Sequence, residues 1–550
     1  MKQNELARWL AWGLLCVLVA LAWSNGLDGA FTYDDKAEVI GNRTIRVLDE
    51  WRIMLDYNGS RPVTISTYAL NYHFAEREPF LYHLVDALIH AVNAGLAMLL
   101  VAELAAARRL ERPLLIGLVA AAIWALHPLQ TESVTYVTGR SEQLVATAYL
   151  GGCVAFSRWR SVGGLQHYLM AWAAVLVGAF TKEVAVTMPV AFVLIELCAY
   201  REGRWRELAW REHLPGLLGV LLFFGWRWHL YGSLLSAAEP LRDRIGVQIW
   251  TEAEVWWRYL QLIVVPLGQS VFHDHPETGP SLRSVAALLG LVGLTGAALW
   301  GMRRRPLVAL AWLLYALVLL PSSSIEPLKE TMAEHRVHIS LIGPAMLAGV
   351  GLVSLGRKGL IGGLALSLLL ALLTFRRNQV WSDEVSLWGD AAAKNPASGE
   401  ALYGYGDALH LAEEHGLARD AFRRSIELGP GNLDARTNLG REQAELGNRA
   451  EAEAAWLGAL EISPSYCRAH NNLGLLHGRS GDYKLAERDL RTTLAYCPND
   501  CMALRVLGEV YQKHLDDPRL AVVHYQLFLD RCDDDTYAPR VREELTKLTW

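Results

Sequence analysis

The sequence predicts an all-α fold, in which a polytopic bundle of membrane helices is followed by a solenoid of short helix pairs. Up to about residue 375 the chain is a series of apolar runs with few charges, and beyond that it is charged and periodic. Apolar runs of about 20 residues cross a bilayer as helices, and fixed periods of 20–50 residues are typical of solenoids. We expect a membrane domain over 1–378, a connector over 379–395 and repeats over 396–550.

Charge and aromatic content narrow the class of partner. The formal net charge is -5 and there is no basic tract, so the sequence does not favour a nucleic-acid partner. The chain has 20 tryptophans, and many stand near the ends of apolar runs, where indole rings settle at a membrane interface (Trp9, Trp23, Trp159, Trp172 and Trp300). Membrane lipids are therefore expected neighbours.

The first apolar run, 6–24, is interpreted as a retained membrane span. It is longer than the apolar region of a typical signal peptide, and the residues from Ser24 to Asp28 make a poor small-residue cleavage site. About eleven spans are expected in all: 6–24, 84–104, 114–126, 143–157, 166–180, 184–200, 214–231, 284–301, 306–320, 337–355 and 359–375.

Basic residues predict the orientation of these spans. Lys2 and Arg8 lie at the N-terminus, and arginine or lysine clusters follow the second, fourth, sixth, eighth and tenth spans. Short loops rich in Lys and Arg stay in the cytoplasm. We therefore expect a multi-pass protein of the inner (cytoplasmic) membrane, with a cytoplasmic N-terminus and with the repeats in the periplasm.

One apolar segment does not fit a crossing. Residues 255–272 contain Arg258 and a Pro-Leu-Gly break, and a full crossing there would put Arg303–Arg305 on the wrong side. The segment is predicted to be re-entrant or interfacial.

The predicted outside loops gather most of the conspicuous polar residues. The first, 25–83, contains the adjacent acids Asp34 and Asp35 and then an amphipathic piece that starts at Arg61. Ionisable residues at span edges are candidates for function. Alternatively, the acid pair caps a helix and the other charges are structural. The candidates beyond the acid pair are Arg61, His127, Glu132, Arg140, Lys182, Glu183, Glu334, His335 and Arg336.

The C-terminal part repeats every 34 residues. The period is visible in three sets of small residues: Pro396, Pro430, Pro464 and Pro498; Gly406, Gly440, Gly474 and Gly508; and Ala418, Ala452 and Ala486, with Ala521 one residue late. This pattern is the signature of about four tetratricopeptide repeats. Such arrays bind peptides or proteins in a concave groove; a rigid spacer or an oligomerisation surface is the alternative.

Four cysteines in the repeats predict two disulfide bonds. Cys467 opens the first helix of one repeat and Cys497 ends its second helix, and Cys501 and Cys532 hold equivalent places in the next repeat. Antiparallel helices bring such ends together, so Cys467–Cys497 and Cys501–Cys532 are expected in an oxidising compartment. Four free buried thiols are the alternative.

A series of motifs resembles the transmembrane-and-tetratricopeptide (TMTC) O-mannosyltransferases and their bacterial relatives, which have the GT-C fold. The pieces are FTYDDKAEVIGN, RPVTISTYALNYHF, PFLYHLVDALIHAVNAG, HPLQTESVTYVTGR, TKEVAVTMP, AEHR and WSDEVSLWGDAAAKNP, in the same order. The chain departs from the family at His338 and Ser340, where an aromatic residue and a proline are usual, and its repeat array is short.

The resemblance implies a sugar donor linked to polyprenyl phosphate and a Ser or Thr hydroxyl of an extracytoplasmic protein as acceptor. The acid in the first outside loop usually serves as base in GT-C enzymes, and that role is carried to Asp34 and Asp35 without choosing between them. The repeats would then dock the acceptor.

The chemistry of such a transfer fits these residues. A carboxylate removes the hydroxyl proton, and a single displacement inverts the anomeric centre. Arg61, Arg140, Lys182 and Arg336 would hold the leaving phosphate, and the other candidates would orient them or contact the sugar. No cofactor is expected, and no His/Cys cluster indicates zinc. A diphosphate donor would need a divalent ion, with Asp34 and Asp35 as ligands.

Two rival interpretations remain open. In one, the same fold transfers sugar to a lipid or a cell-surface polysaccharide. In the other, the chain is a non-catalytic membrane scaffold whose repeats assemble a pilus or a secretion machine.

Overall fold

The computed structural model describes residues 2–49, 51–232, 245–322, 330–532 and 535–549. Every regular element in these residues is a helix, which confirms the all-α fold. The chain divides into two units, Met1–Asp390 and Ala391–Trp550. The division falls inside the expected connector, in a helix that runs from Glu384 to Lys394.

Each of the eleven predicted spans coincides with a helix of the first unit. Five described helices, or six if one bent pair is a single span, are long and apolar enough to cross a membrane by length and composition. Length and composition thus support fewer crossings than the eleven expected. The helices over the predicted spans are α1 Lys2–Trp23, α2 Pro79–Ala107, α3 Pro113–Ala125, α4 Arg140–Val162, α5 Leu165–Ala179, α6 Met188–Ile195, α7 Leu214–Tyr231, α8 Leu282–Gly301, α9 Pro306–Leu319, α10 Ile342–Ser354 and α11 Gly356–Asn378.

Small residues let these helices approach closely. A Cβ atom built on Gly117 of α3 would lie 2.3 Å from the carbonyl oxygen of Met98 in α2. Close approach at small residues is how helices pack in membranes, where burial from water gives little drive. This close contact fixes the position of α3 against α2.

The loops rich in arginine meet at one end of the bundle. Arg8 and Arg158 each lie 3.5 Å from Glu103, and the buried Glu196 accepts ion pairs from Arg160 (3.0 Å) and other basic residues nearby. The segments expected to be cytoplasmic therefore share one end, while the side of the membrane on which that end lies stays a prediction.

The first loop forms a small layer at the opposite end of the bundle. It contains a π turn at Lys36–Ile40 and two helices, Trp51–Asn58 and Pro62–Ala75. Val39 and Tyr68 are among the buried side chains of its own apolar cluster. The predicted amphipathic piece is thus a helix whose inner face is buried while Phe74 is exposed.

The structure corrects the boundaries of the segment at 255–272. The helix begins earlier, at Ile245, and ends at Val264 before Pro266, so only its second half lies in the predicted range. Its residues contact loops at the end of the first-loop layer: Tyr259 donates to the carbonyl of Ala333 at 2.8 Å. The first half of the helix contains polar side chains, so a search for apolar runs does not detect where the helix begins.

After the end of the helix Glu384–Lys394, the described residues of the second unit form four antiparallel helix pairs and a final helix, Ala538–Thr549. In the second pair, a Cβ atom on Gly440 would lie 2.4 Å from the indole nitrogen of Trp456. The repeated glycines mark such helix crossings, which confirms tetratricopeptide-like repeats. The pairs are Gly399–Leu411 with His415–Leu428, Leu433–Glu445 with Arg449–Ile462, Cys467–Arg479 with Tyr483–Tyr496, and Cys501–Lys513 with Pro518–Arg531.

Two disulfide bonds close the third and fourth pairs. Cys467 is bonded to Cys497 and Cys501 to Cys532, with Cα atoms 6.2 and 6.0 Å apart. These are the pairs that antiparallel helix ends predict.

Candidate functional site

The first loop holds Asp35 in a fixed, buried position. Its Oδ2 accepts a hydrogen bond from the backbone nitrogen of Thr32 (3.1 Å), and its Oδ1 accepts from the backbone nitrogen (2.7 Å) and hydroxyl (2.6 Å) of Thr138. Burial raises the pKa of Asp35 to about 7, although these hydrogen bonds act in the opposite direction. The carboxyl is fully buried with both oxygens occupied, so it fixes the loop and offers no atom to a substrate.

Asp34 is exposed on the same loop. Its backbone nitrogen donates to the hydroxyl of Tyr136 at 3.1 Å. The backbone nitrogen of Tyr33 donates to Glu384 at 2.8 Å, and the Tyr33 hydroxyl donates to Glu330. The backbone is thus anchored on both sides while the Asp34 residue itself is exposed, which lets an incoming hydroxyl reach it.

Glu132 joins the second outside loop to the last one. Its Oε2 accepts from the backbone nitrogen of Glu334 at 2.9 Å, and its Oε1 lies 2.6 Å from Nδ1 of His335. Glu132 is buried, so the pair holds the imidazole of His335 in one orientation.

The carboxylate of Glu334 lies beneath the site and holds neighbouring segments together. Its carboxylate accepts hydrogen bonds from the backbone of Ser270 (2.8 Å) and from the side chains of Gln269 (3.1 Å) and His273 (2.8 Å). Burial alone would raise its pKa, but the hydrogen bond and charge of His273 outweigh burial and the pKa is lowered. Glu334 therefore remains a buried anion that ties the stretch after the helix Ile245–Val264 to the site.

Lys182 and His335 converge on Glu142. The ammonium of Lys182 donates to Oε1 of Glu142, and Nε2 of His335 lies 3.7 Å from the same oxygen. The Lys182 and His335 side chains are 18% and 24% exposed, so an anionic ligand can reach both.

A second cationic pair flanks this group. Glu183 binds Arg61 at 3.0 Å through one oxygen and Arg227 at 3.2 Å through the other. Charges cluster closely enough here to act on one another: Glu183 raises the pKa of Arg61, with Glu142 and Glu38 adding to the effect.

The same interactions connect the cations to Asp34. Burial raises the pKa of Glu38, and the charge of Asp34 raises it further while Arg61 opposes the rise. The pKa of Tyr33 is raised by burial and by Glu330, with additional contributions from Asp34 and Glu132. Asp34, Arg61 and the Glu132–His335 pair thus share one electrostatic neighbourhood.

The Arg140 side chain is not accessible to a ligand, contrary to its expected role in binding phosphate. It is fully buried and donates to Asp86 (2.6 Å), Asn71 (2.6 Å) and the carbonyl of Tyr82 (3.1 Å). Its guanidinium also lies over the ring of Tyr68, 5.1 Å from the centroid. With these donors engaged, Arg140 fastens the first-loop layer to the bundle.

His127 and Arg336 are also engaged by the backbone. Nε2 of His127 lies 3.0 Å from the carbonyl of Ile263, and Nδ1 accepts from the backbone nitrogen of Leu129 at 3.2 Å. Arg336, which is 8% exposed, donates to the carbonyls of Glu330 (2.7 Å) and Thr331 (3.2 Å). Both residues shape loops, and the arrangement does not favour the ligand contacts expected of them.

Five residues of this cluster were missed by the sequence reasoning. Arg227 is an arginine inside an apolar run, a signal that should have identified it. Glu142 follows Arg140 by two positions, but no spacing rule singles it out. The other three become visible only through contacts: Glu38, His273 and Glu330.

The acid pair does not fit a two-carboxylate metal site. Three protein donors occupy the oxygens of Asp35, whereas calcium and magnesium sites need carboxylate oxygens available to the ion.

His338 and Ser340, the two residues at which the chain departs from the motif series, lie beneath the site. His338 is buried, with Nδ1 2.5 Å from Oε1 of Gln130, and its carbonyl accepts a hydrogen bond from the indole of Trp124 at 2.9 Å. Ser340 is also buried and donates to the carbonyl of Val337. Both substitutions support the loop that carries His335.

A separate cavity of about 340 Å³ lies in the repeats. Trp456 lines it together with asparagines and arginines from the first helices of the second and third pairs. Asn471 is 8% exposed, and its side-chain amide oxygen, Oδ1, has no hydrogen-bond partner among the described residues. The polar residues of the lining are Thr437, Asn438, Arg441, Glu445, Arg468, Asn471, Asn472 and Arg479.

The fold and the site together define a multi-pass membrane protein that carries a charged cluster at one end of its helices and a tetratricopeptide-like domain. Protein O-mannosyl-transferase TMTC3 of Mus musculus is 24% identical over an alignment of 510 positions, which covers 81% of this chain and 54% of the relative. Tmtc3 of Drosophila melanogaster is 23% identical (81% and 58%), and Tmtc1 of the same organism is 25% identical (77% and 62%).

The chain is therefore a distant homologue of the TMTC protein O-mannosyl-transferases, which confirms the resemblance in the motif series. It spans about half the length of the first relatives that it matches. No family model matches the chain.

Solved structures give weaker likenesses. The tetratricopeptide protein TTC0263 of Thermus thermophilus is 19% identical, covers 33% of this chain and 93% of its own, and has a TM-score of 0.27. YrrB, described as a tetratricopeptide protein with an unusual peptide-binding site, is 19% identical, covers 29% and 81%, and has a TM-score of 0.25.

Proposed function

We propose that this protein is a membrane glycosyltransferase that moves a hexose, with mannose the best match, from a polyprenyl-phosphate donor to Ser or Thr hydroxyls of extracytoplasmic proteins. The observation that carries the proposal is the exposed residue Asp34, on an anchored loop whose charges interact with the cluster of Arg61, Glu183 and Glu142. Homology to the O-mannosyl-transferases supports the choice of sugar and acceptor.

Asp34 is the base of the proposed reaction. It removes the proton of the acceptor hydroxyl as that oxygen attacks the anomeric carbon, a contribution of about 10²–10⁴-fold. Asp35, although its pKa near 7 would suit a base, is enclosed by Thr32 and Thr138 and acts by holding the loop. One displacement with one base gives a product of inverted configuration.

Lys182 and Arg61 receive the donor phosphate. Both are partly exposed and already bind carboxylates, Glu142 and Glu183. A phosphate oxygen takes the place of a carboxylate oxygen in such pairs by charge-assisted hydrogen bonds, and it gains charge as the sugar leaves. Arg227 supports the pair from below, through Glu183.

His335 is positioned to contact the sugar or the phosphate. Glu132 fixes its Nδ1 side, while Nε2 is directed to the side of Glu142 and Lys182. Glu334 is linked to the site by its backbone nitrogen, which donates to Glu132, and by its carboxylate, which accepts from His273.

The repeats dock the acceptor chain in this scheme. The cavity beside Trp456 presents asparagine amides and arginines, groups that bind peptide backbone and acidic side chains. A tethered docking site raises the effective concentration of acceptor hydroxyls near the base. The repeats and Asp34 would then face the periplasm together.

A monophosphate donor needs no divalent ion, and the reaction is proposed to run without one. If the donor were a diphosphate, activity would fall on chelation, which a transfer assay with and without EDTA detects.

The test is transfer of radiolabelled sugar from polyprenyl phosphate in membranes that contain the Asp34→Asn variant. We expect a loss of at least about 10²-fold because the base is removed. Asp56→Asn is the matched control, since Asp56 is an exposed acid of the same loop, in the helix Trp51–Asn58. Transfer equal to wild type in Asp34→Asn, at normal membrane insertion, would exclude this base, whereas no transfer by wild type above membranes that lack the protein would favour the scaffold interpretation.

The labelled product identifies the acceptor. Label in protein that is released by β-elimination supports Ser or Thr glycosylation. Label in a lipid or polysaccharide fraction would instead establish the first rival interpretation with the same site.

A further inference from the structure

The first two helix pairs of the repeats bring two histidines and a glutamate together. His410 lies in the last turn of the helix Gly399–Leu411, His415 begins the next helix, and Glu442 lies in the helix Leu433–Glu445. One candidate ligand atom of each residue lies within 4.8 Å of the other two. Because 32 positions separate His410 from Glu442, no sequence pattern reveals the group.

The carboxylate of this group is buried while the imidazoles are not. The Glu442 side chain is 0% exposed, and those of His410 and His415 are 21% and 30% exposed. A buried carboxylate needs compensating positive charge. The nearby guanidinium of Arg441 stays 3.7 Å from Glu442 and also lies 3.9 Å from Asp407, so its charge is shared.

The contacts to Glu442 differ in kind. Nδ1 of His415 lies 2.9 Å from Oε2 at hydrogen-bonding geometry. Nδ1 of His410 lies 2.6 Å from Oε1, yet neither of these two buried atoms has a hydrogen-bond partner. A nitrogen and a carboxylate oxygen this close, with no hydrogen bond between them, are an arrangement that a shared metal ion would satisfy.

We infer that His410, His415 and Glu442 bind a divalent transition metal ion, with Zn²⁺ the best match. Two imidazole nitrogens and one carboxylate oxygen are the protein ligands of open zinc sites. Ligand atoms in a tetrahedron at about 2.0–2.1 Å from zinc lie about 3.3 Å apart, so small side-chain shifts complete the set. The partly exposed rings leave the fourth position to water.

Such an ion joins the first repeat to the second. Two ligands come from the two helices of the first pair, and the third comes from the first helix of the second pair. Binding to the folded array alone raises its stability in proportion to the logarithm of free metal.

The test uses the full chain in detergent, purified with a tag that contains no histidine, stripped by chelator and dialysed against graded ZnCl₂. Zinc per chain is measured by mass spectrometry, and Co²⁺ absorption bands report the ligand type. We expect one tight site in wild type and at least a tenfold weaker one in His410→Gln and in His415→Gln. His415 is partly exposed, so its variant tests the site even if Glu442→Gln fails to fold.

The matched control is His470→Gln in the third pair. His470 is a half-buried histidine whose Nε2 lies 3.0 Å from the carbonyl of Pro464. The control should keep the wild-type affinity. Equal zinc binding by wild type and His415→Gln, or no tight site in wild type, would reduce the group to two His–Glu ion pairs and overturn the inference.

Discussion

The ionisation of Asp35 makes the stability of the first loop depend on pH. Its folded-state pKa of about 7 lies above the ordinary 3.8, so the folded state keeps a proton that the unfolded chain loses between these values. The stabilising contribution is therefore complete below about pH 4 and is lost as the pH rises through 7. The difference between these two pKa values corresponds to at most about 4 kcal/mol.

This coupling predicts the behaviour of Asp35→Asn. The amide does not titrate, so the stability of wild type relative to the variant should decrease by about 2–4 kcal/mol from pH 4 to pH 8. Thermal unfolding of both proteins in detergent across that range measures the difference. A difference that stays constant with pH would mean that Asp35 is ionised throughout.

Arg140 gives the second prediction at this scale. Arg140→Met leaves Asp86 buried without its partner, and loss of one member of a buried pair costs about 3–5 kcal/mol. We expect a large drop in the thermal midpoint, whereas Arg112→Gln, an exposed arginine at the other end of the bundle, should change it little. Normal stability with a raised KM for the donor would restore Arg140 to the phosphate site.

At this scale the sequence identified residue types better than their roles. It singled out nine candidates beyond the acid pair, but burial decides which of them can meet a ligand. Asp34 and Asp35 are adjacent and identical in type, yet one is exposed and the other has no accessible surface. The burial of Asp35 depends on residues that are distant in the sequence, such as Thr138, so a local sequence pattern does not predict it.

Among the elements, the repeat helices are the most predictable. Their period fixed the helix ends well enough to pair the cysteines, because antiparallel helices of equal length must bring those ends together. The helix Ile245–Val264 was placed poorly, since Gln248, Glu252 and Glu254 interrupt its apolar pattern.

The disulfide bonds predict a thiol count. The chain has seven cysteines, and three are free in the structure: Cys16, Cys153 and Cys198. Unfolded without reductant, the protein should react with three equivalents of a thiol reagent. Seven equivalents would show that the repeats are reduced. Prior reduction should destabilise the array by about 2–4 kcal/mol for each bond.

Gly440 offers a test of helix packing. Gly440→Ala places a methyl group against the Trp456 indole, where the neighbours must move, at a cost of about 1–3 kcal/mol. Gly458→Ala is the control, because its Cβ atom meets only the end of Arg436 at 3.5 Å and alanine is the better helix former. Circular dichroism melting should rank Gly458→Ala above wild type and Gly440→Ala below it.

For the whole molecule, the arrangement of charges predicts the sidedness of the membrane unit. Arg77 lies in the first loop and Glu111 in the loop between α2 and α3, and both are exposed. An Arg77→Cys variant should react with an impermeant maleimide added to intact cells, and a Glu111→Cys variant should react only after the membrane is opened. The reverse pattern would place the proposed site in the cytoplasm and end the proposed function.

Each disulfide bond closes a single repeat on itself, since its cysteines are 30 or 31 positions apart and none connects neighbouring repeats. The third and fourth helix pairs are therefore cross-linked internally, whereas the packing between them has no covalent bond. A protease cut inside either pair should leave its two fragments joined by the disulfide bond.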